Sequence, residues 1–374
     1  MANKIFYKFP SIEQFNNAVK SLKIYQKYVN RTNGEMQDKA LSVKFIGTIK
    51  LHGSNAGVVL NFDSETDFAY YPQSRSRVIS IESDNLDFSQ FAYNPKVRDF
   101  LTNFMYEKVY KTFSEEERKS ILSVAVYGEW AGIGIQKGVA ISEMERFFAP
   151  FEVAVYKKPS EEYRKLHQAE NVEYQRFFLP LEVQEELLNE ELRIFPISKI
   201  VKPYEITIEL DEKGFYKASE TLSEITNMVE KEDPFGKAFG ISGVGEGVVW
   251  KMAQPNFDFG EIRFKVKGEK HAVSKVKTIA PVDFEKVAKV QEAVDLYATE
   301  NRFEQGVQYL QEMQIPMDSK SIGEFIKWVQ GDIIKEHSEA MLSSGINVKS
   351  VTNLVAKKAA EWYKKYINKL TFSE

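Results

Sequence analysis

Hydrophobic residues recur at helical spacing over residues 11–30, where Ile12, Phe15, Val19, Leu22 and Tyr25 form one stripe and predict a helix. The period then shortens. VKFIGTI (43–49), AGVVLNF (56–62) and residues 67–72 are rich in β-formers and predict strands. A second helix is predicted near 95–111, with Val97, Phe100, Leu101, Phe104 and Val109 facing inward. SILSVAVYGEW (120–130) and FFAPFEVAVY (147–156) read as buried strands. Residues 159–192 are charged and helix-prone, and ASETLSEITNMVEKE (218–232) has the pattern of an amphipathic helix. GVVWKM (247–252) and GEIRFKVK (260–267) return to strand periodicity.

Beyond residue 278 the strand signals stop. Segments 283–300, 319–337 and 347–368 have helical patterning throughout. The pattern predicts an α+β domain of mostly antiparallel sheets over residues 1–277 and an all-α domain over 283–374. The boundary is placed at 275–282, close to Pro281. No internal repeat or low-complexity tract is present.

Bulk properties narrow the picture. A chain of 374 residues is long enough for two domains, and 43% hydrophobic with 28% charged residues is a globular composition. A net charge of -4 excludes a wholesale basic coat for nucleic acid but leaves room for local patches, the densest being residues 263–277. There is no cysteine, which removes disulfides and thiolate zinc sites. The four histidines, His52, His167, His271 and His337, are scattered and do not suggest a histidine-rich metal site. No apolar run approaches a membrane span, and MANKIFYKFP lacks a signal-peptide core. The expectation is a soluble protein of the cytoplasm.

Candidate chemistry begins at KLHGSN (50–55), between two predicted strands. Its ordinary reading is a hairpin turn, since Gly53, Ser54 and Asn55 are common turn residues. Its chemical reading is a nucleophilic Lys50, which would have to lose its proton; burial and nearby cations favour that. VYGEWAGIGIQKG (126–138) ends a buried strand in Gly128-Glu129 and enters a glycine-rich loop. The loop fits neither G-x-G-x-x-G nor G-x-x-x-x-G-K-[ST], so a loop needing glycine at positive φ is the better reading. GEGVVWKM (245–252) places Glu246 between glycines and Lys251 farther along the strand. Arg263, Lys265 and Lys267 alternate onto one face of the next strand. That face is either a solvated edge or a cationic wall.

In chain order these segments give K-x-H-G-x-N, SRSR, YGE, FFAPF, EGVVWK and KVK. The series resembles the covalent nucleotidyltransferase superfamily of polynucleotide ligases and mRNA capping enzymes. It is most similar to the RNA ligase 2 family, the branch of phage nick-sealing and RNA-editing ligases. The histidine of K-x-H-G, where DNA ligases usually carry aspartate, and GEWAGIGIQ point to that branch. The resemblance spans residues 40–270.

It implies a nucleotidyltransferase (ATP-grasp-like ligase) domain of antiparallel sheets flanked by helices, followed by a helical domain that helps hold RNA. It implies an ATP-dependent RNA ligase using magnesium or manganese, and an RNA substrate with 3′-hydroxyl and 5′-phosphate ends, as in a nicked duplex. By position, Lys50 is the lysine that becomes adenylylated, with His52 and Asn55 in its motif. Arg75 or Arg77 is the motif arginine. Glu129 binds ribose, Phe148 stacks on adenine, and Lys251 belongs to the fourth motif. Glu246 is associated with metal, and Lys265 and Lys267 contact phosphates; those cations are expected to favour neutral Lys50. A DNA ligase, a capping-type nucleotidyltransferase and a non-catalytic RNA-binding protein with a ligase-like domain remain alternatives.

Overall fold

The computed structural model describes residues 4–32, 41–84, 86–166, 172–254, 261–268, 290–343 and 346–371. Among the described residues, ten strands form two five-stranded sheets. The first has the order β1 (Glu13–Gln14), β10 (Arg263–Lys267), β9 (Gly247–Met252), β2 (Ser42–Lys50), β8 (Tyr204–Glu209). The second runs β4 (Phe68–Ser74), β3 (Ser54–Phe62), β5 (Ile121–Ala131), β6 (Phe147–Lys157), β7 (Gln175–Phe178). Every pairing is antiparallel except β1 with β10.

Alternation decides which face of the first sheet is buried. Phe45 and Ile49 of β2, Val248 and Trp250 of β9, and Phe264 and Val266 of β10 pack in one core. Helices α1 (Phe15–Thr32) and α4 (Glu212–Lys231) cover it through Phe15, Leu22, Phe215 and Leu222. Lys50, Lys265 and Lys267 alternate with those apolar residues and so occupy the opposite face. The second sheet is buried on both sides. Val58, Val126 and Phe148 pack with α2 (Phe88–Tyr93) and α3 (Pro95–Asn103), while Val59, Tyr127 and Tyr156 form a separate tyrosine-rich cluster.

The C-terminal region is helical, as expected: α5 (Val290–Tyr297), α6 (Glu300–Glu312), α7 (Ile322–Ser343) and α8 (Val348–Thr371) share their own core around Phe303, Phe325 and Tyr363. The expected boundary at 275–282 and most of the basic stretch 263–277 lie outside the described residues.

Three expectations change. Residues 13–14 form a strand, and the first helix begins only at Phe15, because Gln14 pairs with Lys265. The charged segment 159–192 is not uniformly helical: Gln175–Phe178 extends the second sheet by pairing with Ala154–Lys157. The segment 283–300 divides at Ala298 and Thr299, where the Thr299 side chain caps α6 by accepting from the Arg302 amide.

Candidate active site

The turn after Lys50 is not a hairpin. β2 pairs with β8 and β9, whereas β3 pairs with β4 and β5. Residues 51–53 therefore carry the chain from one sheet to the other. Gly53 is required by close approach: a Cβ there would lie 2.4 Å from the Trp130 carbonyl oxygen and 2.8 Å from Glu129 Cγ. Its amide donates to Glu129 Oε1 at 3.0 Å, tying the turn to the end of β5.

On the first sheet, Gly247 of β9 is flanked by Lys50 of β2 and Lys267 of β10. Gly247 has φ 151°, and a Cβ there would meet the Val266 carbonyl oxygen at 2.1 Å. The preceding residue, Glu246, lies between the two lysines. Lys50 Nζ donates to Glu246 Oε2 at 2.7 Å, and Lys267 Nζ sits 2.8 Å from Oε1. His52 Nδ1 is 3.5 Å from Oε2. The Glu246 side chain is only 1% exposed.

The electrostatics follow from this crowding. Burial opposes ionisation of Glu246, but Lys267, Lys50 and His52 outweigh it and hold the carboxyl well below the usual range. Burial also pushes Lys50 toward neutrality, yet Glu246 and Glu129 overcome it and raise its pKa above the ordinary lysine value. The expectation of a neutral lysine is thus reversed in the free protein, because the pull of Glu246 and Glu129 outweighs burial and the charge of Arg75. Burial raises Glu129 to about 7, with Lys50 opposing and Glu246 adding to the rise.

A profile of the RNA ligase family matches residues 43–267, more than half of the chain. The chain belongs to the RNA ligase family. It is also similar to solved structures of Naegleria gruberi RNA ligase. A lysine-to-alanine variant with ATP and Mn has a TM-score of 0.40 at 15% identity, over 72% of this chain and 60% of that one. The ligase with PPi gives 0.39 and 16% over the same shares, 72% and 60%. A lysine-to-methionine variant with AMP and Mn gives 0.37 and 14%, again over 72% and 60%. This chain thus spans 60% of the length of those relatives. A search of curated protein sequences gives no match.

In this RNA ligase family chain four further motif residues lie at or near this crossing. Asn55 faces Glu129 across the β3–β5 ladder, beside the Lys50 turn. Arg75 is exposed but acts on Lys50 and on Glu312 of α6. Arg77 instead donates to the Ser83 carbonyl at 2.8 Å and lines a pocket with Asn55, Ser74, Trp130 and Glu312. Lys265 adjoins Glu336 of the helical region.

Two assignments meet a different environment. Phe148 pairs with Trp130, one residue out of step with Glu129, so it stands on the reverse face of the sheet. There it is fully buried, with ring centroids 5.2 Å from Phe88 and 6.3 Å from Phe91. Its neighbour Phe147 takes the Glu129 side and packs on Phe195 and Phe235. Lys251 is bound to Glu152 at 3.1 Å, and Arg263 reaches the same carboxylate at 2.7 Å. That buried cluster ties the two sheets together, which is a structural task for Lys251.

The motifs gave no hint of Glu152 or Glu336, and Gln136, which ends the GEWAGIGIQ motif, was not singled out as a site residue. Gln136, in the glycine-rich loop whose glycines at 132, 134 and 138 have positive φ, contacts the Gly53 carbonyl at 3.4 Å and Gln308 of α6 at 3.0 Å. The only usable signal for Glu152 was a charged residue inside an otherwise apolar strand.

Among the described residues no group of three or more His, Cys, Asp or Glu side chains could cage an ion. Both Glu246 oxygens already face ammonium groups. One carboxylate suits an ion shared with nucleotide phosphates rather than a resident one. Among the same residues no helix is long and apolar enough to cross a membrane.

Proposed function

We propose that this chain is an ATP-dependent RNA ligase that joins 3′-hydroxyl and 5′-phosphate RNA ends through a lysyl-AMP intermediate on Lys50. The observation that carries the reading is the meeting of Lys50, Glu246 and Lys267 at the sheet crossing, from segments separated by 196 positions between Lys50 and Glu246.

Lys50 Nζ leaves Glu246, releases a proton and attacks the α-phosphorus of ATP. A P–N bond forms, the bond to the bridging oxygen breaks, and pyrophosphate departs. Lys267 and Lys265 steady the phosphate charge, which is the main demand of in-line transfer. An RNA 5′-phosphate oxygen then attacks the same phosphorus. The P–N bond breaks and Lys50 regains its proton. Finally the 3′-hydroxyl loses its proton and attacks the activated 5′-phosphate, expelling AMP. Glu246 would hold a divalent ion arriving with the nucleotide, and such an ion would supply further neutralisation of phosphate charge.

The helical region serves as a clamp on RNA, and sealing of nicked duplex in RNA repair is the reaction this arrangement favours. Labelled ATP, GTP and dATP followed by denaturing gels test the first step. ATP should leave a covalent AMP on the wild type and none on Lys50→Ala. Labelling that survives Lys50→Ala refutes the assignment. Joining assays on nicked RNA, nicked DNA, hybrids and single strands then separate an RNA ligase from a DNA ligase.

A further inference from the structure

One carboxylate of the helical region reaches the cationic strand. Glu336 lies on α7, and its two oxygens have separate partners. Oε2 accepts from Gln14 Nε2 at 2.9 Å and from Arg302 Nη2 at 3.1 Å. Oε1 faces Lys265 Nζ at 3.8 Å. Gln14 is the residue directly opposite Lys265 in the β1–β10 pairing. Glu336 is therefore seated on the strand pair that presents Lys265.

The mount behind Glu336 is buried and hydrogen-bonded. Arg302 is fully buried and also donates to Asp332. Its Nη2 lies 3.2 Å from His337 Nε2. Burial, with Arg302 beside it, lowers the His337 pKa to about 3, so the ring is neutral, and it stacks on Tyr297 at 4.2 Å. Next to Glu336, Lys335 Nζ donates to Ser11 Oγ at 2.9 Å. A simple docking ion pair would close on the lysine. Here the ammonium is kept at 3.8 Å, near enough to be held by charge and free to take a phosphate oxygen.

We propose that Glu336 is a positioning residue for adenylyl transfer: it holds the Lys265 ammonium toward the cleft, so that the helical region completes the nucleotide site. This rests on the reading of Lys50 as nucleophile and Lys265 as a phosphate contact.

The charged groups around Lys265 give the idea a measurable consequence. Lys267 on its own strand and Lys50 on β2 repel it, Glu336 and Asp332 on α7 attract it, and Arg302 on α6 stands behind Glu336. Burial lowers the Lys265 pKa to about 8; Glu336 is the strongest influence against that fall, and Lys267 and Lys50 add to it. Without the Glu336 charge, the Lys265 midpoint should drop by about one further unit.

The test is enzyme–AMP formation by the full chain between pH 6 and 9. Glu336→Gln keeps the side-chain shape and removes the charge. Its alkaline limb should move down by about one unit, with labelling at pH 8 slowed about fivefold and labelling at pH 6.5 changed far less. In a Lys265→Arg background, where the cation stays charged, Glu336→Gln should leave the limb in place. An unmoved limb, or an equal loss at every pH in both backgrounds, overturns the proposal. Titration of 13Cε-labelled lysine by NMR, with Lys265 assigned from Lys265→Arg, reads the same coupling without turnover. A wild type that forms no enzyme–AMP defeats the ligase reading. Even then, a Lys265 midpoint that falls in Glu336→Gln supports the coupling, and one that stays overturns it.

Discussion

Lys50 Nζ and Glu246 Oε2 form an ion pair at 2.7 Å, with Lys267 on the other carboxylate oxygen at 2.8 Å. One buried carboxylate thus sets the position of two lysines on two different strands. Glu246→Gln should release both. Enzyme–AMP formation at saturating ATP should fall by about 10²-fold or more, the scale of losing a preorganised charge at a transfer site. Single-turnover labelling measures this, and a rate within threefold of wild type contradicts the shared-anchor role. Lys267→Ala should slow the same step and leave Lys50 paired to Glu246.

The Glu152 cluster predicts stability rather than rate. Glu152 is 2% exposed and Arg263 8%, and Lys251 adds a third charge. Glu152→Gln leaves Lys251 without its partner and Arg263 with Glu261 alone. Removing one member of a buried ion network should cost about 3 kcal/mol. Urea denaturation gives the value. A variant as stable as wild type would mean that water or another carboxylate takes over.

Seven of the ten described strands were legible because each carries a β-rich run, and Lys50, Glu246 and Lys267 were legible because their motifs are contiguous. Sheet membership was not. Alternation tells which residues share a face but not which strands pair, so the Lys50 turn read as a hairpin although it crosses between sheets. Phe147 and Phe148 show a second limit: both faces of the second sheet are buried, so both phenylalanines fit an apolar pattern and only register separates them. The strand Tyr204–Glu209 escaped notice because Glu205, Thr207 and Glu209 on its exposed side break up the apolar run. Glu336 bonds to Gln14 across 322 positions, and nothing local in either segment announces that contact.

Asp233 supplies a pH test. It caps the short helix Pro234–Ala238, accepting from the Phe235 amide at 2.9 Å, and its backbone amide donates to Gly243 in the segment leading to Glu246. Burial raises its pKa from 3.8 to about 6, against the helix-end amides that lower it. The folded pKa is the higher one, so the protonated group favours the fold. Its contribution is present below about pH 4 and is lost as pH rises through about 6. Asp233→Asn cannot ionise and still caps the helix. It should therefore stabilise the protein by about 2 kcal/mol at pH 8 and by little at pH 4. Denaturation curves across that range decide; a gain that is the same at both ends removes the titration argument.

The clamp reading can be tested on α8 alone. Lys357, Lys364 and Lys365 are exposed and recur at positions i, i+7 and i+8, which places them on one side of the helix. Lys358, seven positions before Lys365 and on its side of the helix, is set apart by its pairing with Asp295 at 3.2 Å. Replacing Lys357, Lys364 and Lys365 together with Glu leaves the core residues Val355, Ala359 and Tyr363 intact, so the fold should persist. The site at Lys50 is untouched, and enzyme–AMP formation should stay near wild type. RNA binding should weaken, and the dependence of log affinity on log salt should become shallower by about 3 if all three lysines meet phosphates of the duplex. Titrations of nicked RNA duplex at several salt concentrations measure the slope. An unchanged slope with normal sealing would identify the three lysines as a solvated helix face and remove α8 from the RNA path.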